Sequence, residues 1–261
     1  VNVPDAKLMK LYVDDEPLLL AEADLDTYER TVDFRNGVLT RDMIWRTPSG
    51  KRVRVSSQRM VSLVHRHLAV MSLEVTLLDS PAPIVISSQL LNRQDGEDEY
   101  HVRSAALGEG KDPRRARKFD HRVLQPRYQG EHDNEIVLGY RCANSEMTLA
   151  CGTRHRIETS CSTEIETDVG VDLAKTVFTV RATPGDPIKV TKFVAYHSSN
   201  GVPVQELADR CTRTLARAES EGTDQLLFEQ REWLDGFWSN ADIELRGDDR
   251  AQQALRWNLF Q

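Results

Sequence analysis

The spacing of apolar residues changes period once along this chain, and that change constrains the fold more than any other feature. Over residues 1–199 apolar and polar side chains alternate at every second position, in segment after segment rich in β-branched residues. The clear cases are 38–45, 52–56, 68–78, 84–91, 136–142, 176–182 and 188–197, each reading as a half-buried strand. Between the first two, Thr47-Pro48-Ser49-Gly50 puts proline second and glycine fourth, which suits a type I turn and predicts a hairpin. Many short strands with almost no helical pattern between them predict an antiparallel sandwich rather than a parallel sheet with crossovers.

After Asn200-Gly201 the period becomes helical. Val204, Leu207, Ala208, Cys211, Leu215 and Ala218 fall on one face, Pro203 is tolerable in the first turn, and Gly222 is available as a terminator. A second helix is expected over 223–238, with Leu226, Leu227, Trp233, Leu234, Phe237 and Trp238 on a broad apolar stripe. That stripe makes Trp233 and Trp238 core residues, and its strand alternation does the same for Trp45. A third helix is expected from Asp248, capped by Asp248-Asp249.

The 261 residues are 39% hydrophobic and 29% charged, with a net charge of −7 and a pI near 5.6. An acidic chain lacks the basic face that a polyphosphate backbone requires, so nucleic acid is not the expected partner. No apolar run is long enough to span a bilayer, and the first ten residues carry no export signal. Four cysteines without ligand spacing read as reduced thiols of a cytoplasmic protein. Both ends read as cut, because there is no initiator methionine and the last helical pattern stops without a C-cap signal.

No arrangement of catalytic residues emerges. Asp14-Asp15-Glu16 and Glu97-Asp98-Glu99 sit in turn-like stretches, and Asp248-Asp249 is explained as a cap. Glu164, Glu166 and Asp168 alternate along one strand face, and a solvated face explains them better than a cation site. His65 and His67 lie two apart and could project as metal ligands, yet no third ligand is near in sequence, so they read as surface or turn histidines. Cys151 and His155 are four apart in a strand-like stretch, where a metal site is not expected. The basic segment 108–118 reads as a solvated loop, since its glycines match no phosphate-loop spacing.

A larger pattern begins at Tyr28-Glu29-Arg30-Thr31-Val32-Asp33-Phe34-Arg35-Asn36-Gly37-Val38-Leu39-Thr40-Arg41, followed by Trp45 and Gly50-Lys51-Arg52-Val53. It resembles the N-terminal signature of glycoside hydrolase family 65, with Val32 and Phe34 as apolar replacements for the usual residues. Ser57-Gln58-Arg59-Met60-Val61-Ser62-Leu63 is similar to the family's next strand, and Lys192-Phe193-Val194-Ala195-Tyr196 to its closing strand. Trp233, Phe237-Trp238, Asp242-Ile243 and the run from Gln253 to Gln261 resemble the family's linker and the opening helix of its catalytic barrel.

The resemblance implies a mainly β fold, a galactose mutarotase-like super-β-sandwich at 1–199 that lacks its first strands. It implies a helical linker at 200–247 and, at 248–261, the first helix of an (α/α)6 catalytic barrel absent from this chain. Inverting cleavage needs a carboxylic acid and a nucleophile on the opposite face. In the family the acid is a glutamate of the barrel, and in its phosphorylases inorganic phosphate replaces the base-activated water.

The expected function is therefore an accessory domain of an inverting α-glucoside phosphorylase or hydrolase, cytoplasmic and homodimeric. It would act on glucose disaccharides through the absent barrel, with inorganic phosphate as co-substrate and no other cofactor. The chain alone is expected to be inactive, with no catalytic residue, no metal and no assignable substrate-binding residue of its own. The alternatives are a stand-alone carbohydrate-binding module and a structural or oligomerisation domain.

Overall fold

The computed structural model describes residues 2–92 and 122–261. The acidic run at 97–99 and the basic segment at 108–118 lie outside the described residues. The strands are β1 (Met9–Val13), β2 (Glu16–Pro17), β3 (Asp24–Asp33), β4 (Val38–Arg46), β5 (Arg52–Val61), β6 (Leu68–Leu77) and β7 (Ala82–Leu91). They continue with β8 (Leu124–His132), β9 (Glu135–Cys142), β10 (Thr148–Glu158), β11 (Thr163–Val169), β12 (Leu173–Ala182) and β13 (Ile188–Ser199). Two helices follow, α1 (Val204–Ala241) and α2 (Asp249–Phe260).

The strands form two sheets, ordered β11-β12-β7-β1-β2 and β3-β4-β5-β6-β13-β10-β9-β8. Every pairing among the described residues is antiparallel, as the short strand spacing predicts. The turn at 47–50 closes β4 onto β5, with Gly50 N–H donating to Thr47 O at 2.8 Å. Asp14 and Asp15 take positive φ in the two-residue link between β1 and β2, a conformation that short acidic side chains tolerate.

Between the sheets lies a dry core that includes Trp45, Val75, Ile84, Ile86, Phe178 and Val190, continued around Tyr140, Leu138, Cys151 and Val194. Trp45 is 2% exposed, in keeping with its place in the alternation. The opposite face of the eight-stranded sheet is covered by α1. There Val70, Phe193 and Ala195 meet Leu207, Cys211 and Leu215. The middle strand β13 is thus apolar on both sides, and its burial no longer alternates. Gly152 lets the helix approach closely, because a Cβ there would stand 2.9 Å from Leu215 Cδ1.

The helical region matches the sequence pattern in its breaks and departs from it in its packing. Gly222 is non-helical at φ 79° and ψ 163°, dividing α1 into two helical stretches with no loop between them. Asp248 caps α2, its Oδ1 accepting from Arg250 N and Ala251 N at 3.0 Å each. Trp233, expected in the core, is instead 45% exposed and stacks on Phe237 with ring centroids 5.9 Å apart. The expected stripe is wider than the surface available to it. Beyond the break only Leu226, Gln230 and Leu234 are buried.

Candidate functional site

Asp14 pairs with Lys51, and the Glu16 carboxylate accepts the Ser49 hydroxyl at 3.0 Å. Glu164, Glu166 and Asp168 lie exposed on the edge strand β11, where Asp168 meets Lys175 at 3.3 Å. Among the described residues no two of these sequence-derived carboxylates are brought together across a cleft.

Two basic groups between the sheets have strongly shifted protonation, which is often a sign of a functional site. Burial pushes the Lys192 ammonium down to about 7, and His155 falls to about 3 for the same reason, with Lys192 adding a smaller push. Both are sealed between the sheets. Lys192 Nζ donates to Gln89 O at 2.8 Å and His155 Nε2 contacts Ser88 Oγ at 2.8 Å, so they tie β13 and β10 to the small sheet. A structural role explains them, since no substrate can reach either. Cys151 lies in the same core with its thiol raised by burial.

The accessible chemistry gathers where α1 crosses the sheet. The turn between β5 and β6 presents His65, Arg66 and His67. With Arg210, Arg213 and Arg217 of α1 they line a cleft of about 230 Å³. His67 stacks on His197 at 4.1 Å and its Nδ1 contacts Tyr196 O at 2.9 Å, while His197 Nε2 contacts Thr214 Oγ1 at 3.0 Å. Burial lowers His197 to about 4, and His67, Arg210 and Arg213 add positive potential.

His65 turns away from His67 toward the break in α1. Its Nε2 lies 3.0 Å from Glu229 Oε2 and 3.7 Å from Glu221 Oε2. The two histidines thus do not act as a pair, and His65 instead meets two carboxylates from a helix more than 150 positions away. Strand spacing could not show it, because the helix was read for its apolar stripe and not for its polar face. Adjacent Gln230 is 1% exposed and clamps the same turn, accepting from Leu63 N at 2.9 Å and donating to Val61 O at 3.1 Å.

A second junction joins the hairpin of β3 and β4 to the later helices. The Asp33 carboxylate accepts from Arg35 N at 2.8 Å and Asn36 N at 3.1 Å, shaping the turn. Trp238 Nε1 donates to Phe34 O at 2.9 Å, Arg35 Nε meets Asp235 at 3.0 Å, and the Phe34 ring packs on Trp257 and Phe260 of α2. Gly37 has φ +64°, and a Cβ there would stand 2.8 Å from Leu234 Cδ1. The motif residues from two distant parts of the sequence thus touch. Along α1, α2 and the link between them, Phe228, Trp233, Ile243, Leu245 and Trp257 remain substantially exposed.

A family model for the glycosyl hydrolase family 65 N-terminal domain matches residues 1–237. An uncharacterized glycosyl hydrolase of Mycobacterium tuberculosis is 34% identical over 260 residues, covering 100% of this chain and 32% of that protein. The α,α-trehalose phosphorylase of Thermoanaerobacter brockii is 27% identical over 264 residues, with coverage of 100% and 32%. Kojibiose phosphorylase of Escherichia coli is 23% identical over 264 residues, with coverage of 100% and 31%. The chain thus spans about a third of the length of the curated relatives it matches. A solved structure described as "Putative kojibiose phosphorylase from human microbiome" superposes with a TM-score of 0.81 at 16% identity, over 100% of this chain and 31% of that one. At that identity the likeness concerns the fold alone.

Proposed function

Because this chain belongs to glycosyl hydrolase family 65, through that family's N-terminal domain, we propose that it is the accessory domain of an inverting α-glucoside phosphorylase. The observation that carries this reading is the family match over residues 1–237 in a chain whose whole length aligns with about a third of trehalose and kojibiose phosphorylases. In this reading 1–199 is the supporting sandwich, 200–247 the connection, and 248–261 the first helix of the barrel that holds the catalytic acid. The substrate is an α-linked glucose disaccharide, cleaved by inorganic phosphate to β-glucose 1-phosphate. One carboxylic acid suffices, since phosphate serves as the nucleophile that a base-activated water provides in hydrolysis.

The exposed apolar side chains Trp233, Ile243 and Trp257 on the helical segment support the same reading, as large apolar groups left in water suit a surface that another part packs against. No helix among the described residues is long and apolar enough to cross a membrane. A cytoplasmic homodimer is the setting we propose, where conserving bond energy in a sugar phosphate is useful. The test incubates the full-length protein and the 261-residue chain separately with maltose, trehalose, kojibiose and nigerose, with and without phosphate, and follows the released anomer by NMR. Phosphate-dependent β-glucose 1-phosphate from the full-length protein alone is the expected result. Turnover by the chain alone, or an α-anomeric first product, would refute the reading.

A further inference from the structure

We infer that His65, Glu221 and Glu229 form a binding site for a divalent transition-metal ion, which pins the turn between β5 and β6 to the break in α1. Their ligand atoms lie within 4.8 Å of one another. On a straight helix Glu221 and Glu229 would be about 12 Å apart along the axis, eight residues at 1.5 Å each. The non-helical Gly222 immediately after Glu221 is what allows the two carboxylates to converge.

Three further observations favour an ion over a simple ion pair. Glu221 Oε2 is shut off from solvent and accepts no hydrogen bond, a costly state for a carboxylate oxygen that a metal would relieve. Gln225 Nε2 donates to Glu229 Oε1 at 2.8 Å and leaves Oε2 directed at His65, the outer support expected of a ligating carboxylate. Gln230 holds the histidine-bearing turn on the helix, so the set is rigid before any ion enters.

One imidazole and two carboxylates suit zinc and its first-row neighbours, with coordination positions left for water. Bonds near 2.1 Å place tetrahedral ligand atoms roughly 3.4 Å apart. The 3.0 and 3.7 Å contacts bracket that separation. His65 and Glu221 line the same cleft as Arg66, Arg210, Arg213 and Arg217, whose charges oppose a cation, so binding has to come from direct coordination by the two carboxylates and the imidazole.

The experiment strips the full-length protein with chelator and titrates it with Zn²⁺ by calorimetry at pH 7.5. Binding of one ion at this site is expected, weakened roughly 100-fold or more in His65→Ala, Glu221→Gln and Glu229→Gln and about 10-fold in Gln225→Ala. The exposed control Glu232→Gln should bind as the parent does. Co²⁺ added to the parent should develop visible absorption that Zn²⁺ displaces, a readout independent of whether any variant folds. No Zn²⁺ binding and no cobalt band, or affinities unchanged in all three ligand variants, would overturn the inference and leave the cluster as a histidine–glutamate latch.

Discussion

The two faces of the eight-stranded sheet are covered by different partners and behave as different materials. One face meets a second sheet that seals its middle, so that even Lys192 and His155 are held there away from water. The other meets α1, whose apolar stripe packs on the middle strands while polar groups follow its edges. Glu135, 6% exposed, accepts from Thr212 Oγ1 at 2.5 Å, and Arg154 reaches Glu219 at 2.8 Å. Beyond its sealed middle the sheet-covered face opens into a cleft of about 640 Å³ lined by Arg59, Met71, Leu91, Val194 and Tyr196, whereas the helix-covered face carries a cleft lined by histidines and arginines, a histidine–glutamate cluster and an apolar rim. The clustered histidine, arginine and glutamate side chains therefore lie where a cylinder crosses a sheet and cannot cover it completely.

The strongest test asks whether both faces unfold together. Phe178→Ala on the sealed face should cost about 3–5 kcal/mol, and Leu215→Ala on the helix face about 2–5 kcal/mol, in chemical denaturation. A single transition in each, by fluorescence and circular dichroism alike, makes the molecule one cooperative unit. If Leu215→Ala instead releases helical signal before sheet signal, α1 is an attached layer and the contrast between the faces sharpens.

The next effect probes the hairpin seat. Gly37→Ala should cost about 1–3 kcal/mol for a side chain at positive φ, with an added loss because the new Cβ meets Gln230 and Leu234. Gly222→Ala carries the backbone strain alone, since nothing lies within 4 Å of its Cβ position. Gly222 at φ 79° and ψ 163° lies where essentially only glycine is at ease, so a loss at Gly37 as large as that at Gly222 is expected if the seat matters, and a much smaller one would show that it contributes little.

Both faces carry a histidine that burial holds neutral, His155 between the sheets and His197 beside α1. His155 falls from an ordinary 6.5 to about 3 through burial. Its contribution is fully present above pH 6.5, and as pH drops the unfolded chain takes up the proton first. Stability is then lost down to about pH 3, at no more than about 1.4 kcal/mol per pH unit. His155→Gln should flatten that slope when denaturation midpoints are compared from pH 7 to pH 4. An unchanged slope would place the acid sensitivity in other groups. The smallest effect belongs to Arg35→Ala, whose ion pair with Asp235 is exposed, and its midpoint should hardly move.

Much of the architecture was legible from local chemistry. Alternation located β4 to β7, β9, β12 and β13 within a few residues where they touch a core. It was silent over β3, whose residues are mostly exposed, because a strand wet on both faces has no reason to alternate. Gly222 and Asp248 marked the helix break and cap because backbone conformation and unpaired amides are satisfied within a few residues. Trp233 misled for the opposite reason. Its helical phase is real, yet burial depends on whether another element lies across that phase.

By itself the sequence determined the period of each segment, the turns and caps between them, and the family signature, since all of these are encoded over spans of a few residues. Only the tertiary structure decided that β13 lies between β6 and β10, that the Gly37 turn seats Leu234, and that His65 meets Glu221 and Glu229. Those contacts join residues far apart in the chain. They follow from how two curved layers and a broken helix fill space, which no local spacing records.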